Sequence, residues 1–97
     1  MNKDNILRGK IMDILRKIYP DGVDYKTMVS ILFQYHKTDE ISSSLEYLVD
    51  KEYVLKKEHP HAFLPHETIK WYKLTPKGID LLEGNVDTDP GILIQRG

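Results

Sequence analysis

Residues 37–74 read KTDEISSSLEYLVDKEYVLKKEHPHAFLPHETIKWYKL, and they decide the fold. Ile41, Leu45, Leu48 and Val49 recur at helical spacing, so residues 38–51 should form a helix that turns these four toward a core. Thr38 stands where a cap would, and Asp39 and Glu40 occupy the first turn, where carboxylates suit the helix dipole. The chain then turns at Glu52 and Tyr53 into two short strand-like runs, 54–59 and 68–74. A helix leading straight into an antiparallel hairpin is the expected centre of the molecule.

Upstream, Leu7, Ile11, Ile14, Leu15 and Ile18 fall on one face of a helix over residues 4–19, with Arg8, Lys10, Arg16 and Lys17 outside it. Gly9 weakens that helix by about 1 kcal/mol relative to alanine. Pro20-Asp21-Gly22 ends it by turn chemistry. Asp24 should cap a second helix, with Val23 and Met28 as a hydrophobic staple and Tyr25, Met28, Val29 and Leu32 as its buried stripe. Residues 34–37 form the short link to the third helix, and Val23 is placed to supply a third strand.

Downstream, Thr75 is expected to cap a last short helix, with Pro76 at its first position and Gly84 as its stop. Residues 1–84 thus make one domain. Residues 85–97 form a tail whose first half is loop-like. Its run Ile92-Leu93-Ile94 should either fold back on the hairpin or pair as an extra strand if the tail is ordered.

The net charge is −1, from 14 basic and 15 acidic residues, so no global field draws the chain to nucleic acid. Cysteine is absent, which excludes disulfides and thiolate metal sites and fits a reducing cytoplasm. No run approaches the roughly 18 apolar residues of a membrane span, and no secretory signal is visible, so a cytoplasmic protein is expected.

The order helix, helix, helix, hairpin, helix, with Leu48 and Tyr53-Val54 at the hairpin entrance and Tyr72-x-Leu74-Thr75-Pro76-x-Gly78 at its exit, resembles the winged helix-turn-helix domains of bacteria and their phages. The resemblance covers residues 4–84. It implies a mostly α fold with a small antiparallel β wing, and a small dimeric DNA-binding transcriptional regulator whose third helix reads double-stranded DNA. Glu52 departs from the pattern, because a glycine is usual at the wing entrance and an L-residue held left-handed costs about 1–2 kcal/mol.

On that reading Thr38, Ser42, Ser43 and Tyr47 face the groove, and Lys37, Lys56, Lys57 and Lys70 touch phosphate. Charge argues the other way. Residues 37–50 hold one base against Asp39, Glu40, Glu46 and Asp50, a local net of −3, whereas groove-reading helices usually offer Arg, Lys, Asn or Gln. Residues 51–73 carry five lysines against three glutamates. These suit phosphate contacts, or an ordinary solvated hairpin.

If Tyr72 and Leu74 point inward, as the resemblance implies, Ile69 and Trp71 point out and join Phe63 and Leu64 in an apolar patch. That patch suits a homodimer or a protein partner, and a winged helix used for protein interaction without DNA is the alternative function. His59, His61 and His66 lie near Glu67 in the wing, but their spacing matches no ligand motif, and neither metal nor cofactor is expected. No nucleophile motif or glycine-rich phosphate loop suggests an enzyme.

Overall fold

The protein is described by a computed structural model over residues 3–94. Along the chain run α1 (Lys3–Ile18), β1 (Gly22–Asp24), α2 (Tyr25–Leu32), α3 (Thr38–Asp50), β2 (Val54–Pro60), β3 (Thr68–Leu74) and α4 (Pro76–Glu83). The three strands form one antiparallel sheet in the order β1-β3-β2, so Val23 does supply a third strand. The architecture is four helices on a small sheet.

Local signals place most boundaries. Asp24 caps α2: its carboxylate accepts from the Thr27 amide at 3.2 Å and from the Thr27 hydroxyl at 2.6 Å. These bonds, the Thr27 hydroxyl first, hold its carboxyl below the usual range against a smaller opposing effect of burial. Thr75 caps α4 through the Gly78 amide at 3.1 Å, Pro76 opens that helix, and Gly84 ends it with φ 77°. The cap of α3 differs from expectation. Lys37 holds the cap position without a side-chain bond, and Thr38 is already helical.

Glu52 adopts φ 68°, so the left-handed strain at the hairpin entrance is accepted rather than avoided. The turn it makes lets the Tyr53 amide bond to the Leu48 carbonyl at 3.0 Å. Its own carbonyl receives the Thr75 hydroxyl at 2.7 Å, tying the start of β2 to the start of α4.

The core joins Leu7, Ile11, Met12 and Leu15 of α1 to Met28 and Leu32 of α2, Ile41, Leu45 and Leu48 of α3, and Tyr72 and Leu74 of β3. Truncating one of these to alanine costs about 2–5 kcal/mol. On α1 the stripe is rotated slightly from expectation: Met12 is fully buried and Ile18 is exposed. In β3 the inward residues are Tyr72 and Leu74, as alternation requires. The register aligns Val23, Tyr72 and Lys56 on the inner face and Asp24, Trp71 and Lys57 on the outer one.

The tail takes neither expected course. It crosses α1 and reaches α3, away from the hairpin patch. The Leu93 amide donates to the Asn5 carbonyl at 3.0 Å, Arg8 donates to the Gly91 carbonyl at 3.1 Å, and Ile92 enters the core. Gly9 makes this possible, since the Leu93 backbone occupies the space a Cβ there would need. The rest of the tail, 95–97, lies outside the described residues.

Candidate functional site

The solvent side of α3 carries Thr38, Asp39, Ser43, Glu46 and Asp50. Two residues expected on that side are engaged elsewhere. Ser42 is half-buried, its hydroxyl hydrogen-bonded to that of Tyr25 at 2.5 Å. Tyr47 is turned toward α1, and Arg8 stacks on its ring with the guanidinium 3.6 Å from the centroid. Tyr47 is therefore a support for the tail and not an outward residue of α3. Its hydroxyl and Gly91 are in such close approach that a Cβ at 91 has no room.

Among the lysines, Lys56 is the most committed. It lies on the inner face of β2 and reaches Glu46 at 3.0 Å and Glu58 at 3.7 Å. The hydrogen bond to Glu46, with the nearby negative charges, raises its pKa and outweighs the effect of burial. Lys56 thus neutralises the α3 face instead of standing free for phosphate. Lys37, Lys57 and Lys70 are exposed, and among the described residues none is ion-paired. Lys57 stands opposite Trp71 and Lys70 opposite Glu58, so the two project from opposite faces of the hairpin. They flank the hairpin and do not form one patch.

The apolar patch is divided in the same way. Phe63 is 87% exposed and Leu64 49%, both at the hairpin tip. Ile69 and Trp71 are half-buried and line a separate recess of about 410 Å³ with Asp24, Tyr25, Lys26, His61, Glu67, Thr68 and Lys70. The Trp71 indole lies against Gly22, leaving no space for a Cβ there. His61 organises the tip: its Nδ1 accepts from the Phe63 and Leu64 amides at 3.1 Å each. No group of three His, Asp or Glu side chains converges among the described residues, so His59, His61, His66 and Glu67 do not assemble a metal site there.

Two features escaped the sequence. Ile31, Phe33 and Tyr35 are exposed large apolar side chains at the end of α2 and in the link to α3. Their positions off the Met28–Leu32 stripe were the available signal. The other is the buried carboxylate Asp89, which accepts from Tyr53 at 2.9 Å and from the Gly91 amide at 2.8 Å, with Lys51 at 3.5 Å. Nothing short of the tail's path reveals that cluster.

No described helix is long and apolar enough to cross a membrane. No family model, curated protein or solved structure matches the chain.

Proposed function

We propose that this chain is a winged helix-turn-helix domain working as a small cytoplasmic DNA-binding transcriptional regulator, with α2 and α3 as the helix-turn-helix and the β2–β3 hairpin as the wing. One observation carries the reading: the start of α3 is open. Lys37 and Thr38 are exposed there, no side chain caps the helix, and Lys57 and Lys70 stand unpaired on the hairpin that follows. Unsatisfied amides at a helix start attract phosphate, and lysines beside them add charge. Ser43 is the exposed hydroxyl available to base edges. Sequence discrimination by so sparse a face is modest, and phosphate contact dominates. Dimerisation through Phe63 and Leu64 would present two such faces to one duplex.

A second reading has its own support. The exposed side of α3 is acidic and Lys56 is spent on Glu46, which favours a winged helix that binds protein instead.

Fluorescence anisotropy with a random-sequence duplex separates the two. If Lys37, Lys57 and Lys70 neutralise three phosphates, log affinity falls with log salt at a slope of about −3. No binding at low salt would sink the DNA reading and leave the interaction module.

A further inference from the structure

The sheet has a gap. β3 is its middle strand, and β2 pairs with it from Thr68 to Leu74. β1 covers the other edge only at Trp71, Tyr72 and Lys73, because the chain leaves β1 at Asp24 and starts α2 at Tyr25. Along residues 68–70 that second edge has no strand among the described residues. An open edge offers main-chain N–H and C=O groups to any extended chain that reaches it.

The gap is also a recess. Its walls are Trp71, Ile69 and Tyr25, which supply apolar and aromatic surface, and Lys26 and Lys70 stand at its mouth. Both lysines are exposed, and neither has an ion-pair partner among the described residues. Asp24, on the opposite side, is already committed to Thr27 as the α2 cap. Glu67 is the one carboxylate left facing the two ammonium groups, so the mouth is net positive.

We infer that this recess takes a short extended peptide segment of a partner protein, added as a strand on the line of β1, with a bulky apolar side chain against Trp71 and acidic neighbours opposite Lys26 and Lys70. Main-chain pairing with residues 68–70 supplies affinity, and the recess and its two lysines supply selectivity. A second copy of β3 does not fit the same place. Laid antiparallel about Ile69, it would put its residues 65–67 where β1 and Asp24 already stand. The inference is independent of DNA binding, since none of Lys37, Ser43 or Lys57 lines the recess.

Trp71 is the chain's single tryptophan and reports on the recess directly. The full chain is titrated with acetyl-Glu-Leu-Glu-Leu-Glu-amide, with its lysine counterpart acetyl-Lys-Leu-Lys-Leu-Lys-amide, and with the acidic peptide N-methylated at alternate amides in either register. The acidic peptide should shift Trp71 emission saturably with Kd below about 1 mM. The lysine peptide should bind at least about tenfold more weakly, and N-methylation in one register should remove binding. Lys26→Glu with Lys70→Glu, checked for an unchanged far-ultraviolet spectrum, should reverse the preference between the two charged peptides. Emission unmoved at millimolar acidic peptide overturns the proposal. Equal binding of the two charged peptides, or full binding of both methylated forms, overturns it as well.

Discussion

The backbone of Leu93 rests on the bare Cα of Gly9, joining the end of the described chain to the first turns of α1. In an isolated helix Gly→Ala gains about 1 kcal/mol. Here the methyl group meets a carbonyl, so Gly9→Ala must push the tail away and lose the bond from the Leu93 amide to Asn5. The expected result is destabilisation by about 1–3 kcal/mol, read as a lower Tm. A higher Tm would show that the tail is not held at Gly9.

Asp89 makes tail docking sensitive to pH. Burial alone would raise its carboxyl pKa, but the Gly91 amide, the Tyr53 hydroxyl and Lys51 outweigh burial and leave it below the ordinary 3.8. A depressed folded value means stability that is present above pH 3.8 and lost as pH falls through the lower folded value. Tyr53 works in the opposite direction: burial and the Asp89 carboxylate push it from 10.0 up to about 12. Its contribution is complete below pH 10 and is lost as pH rises toward 12. Asp89→Asn should therefore flatten the acid limb of a Tm–pH profile measured between pH 2 and 6 (about the range where carboxylates titrate). An unchanged limb would remove Asp89 from the account.

Glu52 holds φ 68° at the junction of α3 and β2. The carbonyl that receives Thr75 belongs to the main chain, so it survives a change of side chain. Glu52→Gly should relieve the left-handed strain and stabilise by about 1 kcal/mol, after allowing for glycine's greater freedom when unfolded. Chemical denaturation checks this, and a lower midpoint would contradict it.

Lys56 and Lys57 are neighbours in sequence with different duties. Because Lys56 already faces Glu46, Lys56→Gln should change duplex affinity less than about twofold. Lys57→Glu with Lys70→Glu should weaken it about tenfold or more and flatten the salt slope by about 2. Anisotropy at matched ionic strength compares them. The opposite ranking would mean that Lys56 leaves Glu46 when DNA arrives.

Much of the fold was legible because its signals are local. Asp24, Thr75, Pro76 and Gly84 act within one turn of where they stand, and the alternation of Tyr72 with Leu74 needs only strand geometry. What was not legible depends on distant parts of the chain. Gly9 reads as a weak helical position until Leu93 is seen against it, and Tyr47 reads as an outward residue until Arg8 covers its ring. The Lys56–Glu46 pair needs the packing of β2 against α3, which residue spacing does not give. Thr38 was misplaced by one position, the ordinary uncertainty of a helix boundary. The expected interface residues separated because Phe63 and Leu64 sit at the hairpin tip whereas Ile69 and Trp71 turn into the recess.

The most direct test of the proposed function is a map of backbone amide shifts in the ¹⁵N-labelled full chain as a duplex is added at low salt. The account predicts shifts concentrated at residues 37–43 and around Lys57 and Lys70, with α4 and the docked tail unmoved. Absence of shifts at the start of α3, with or without changes elsewhere, would contradict duplex contact through this face.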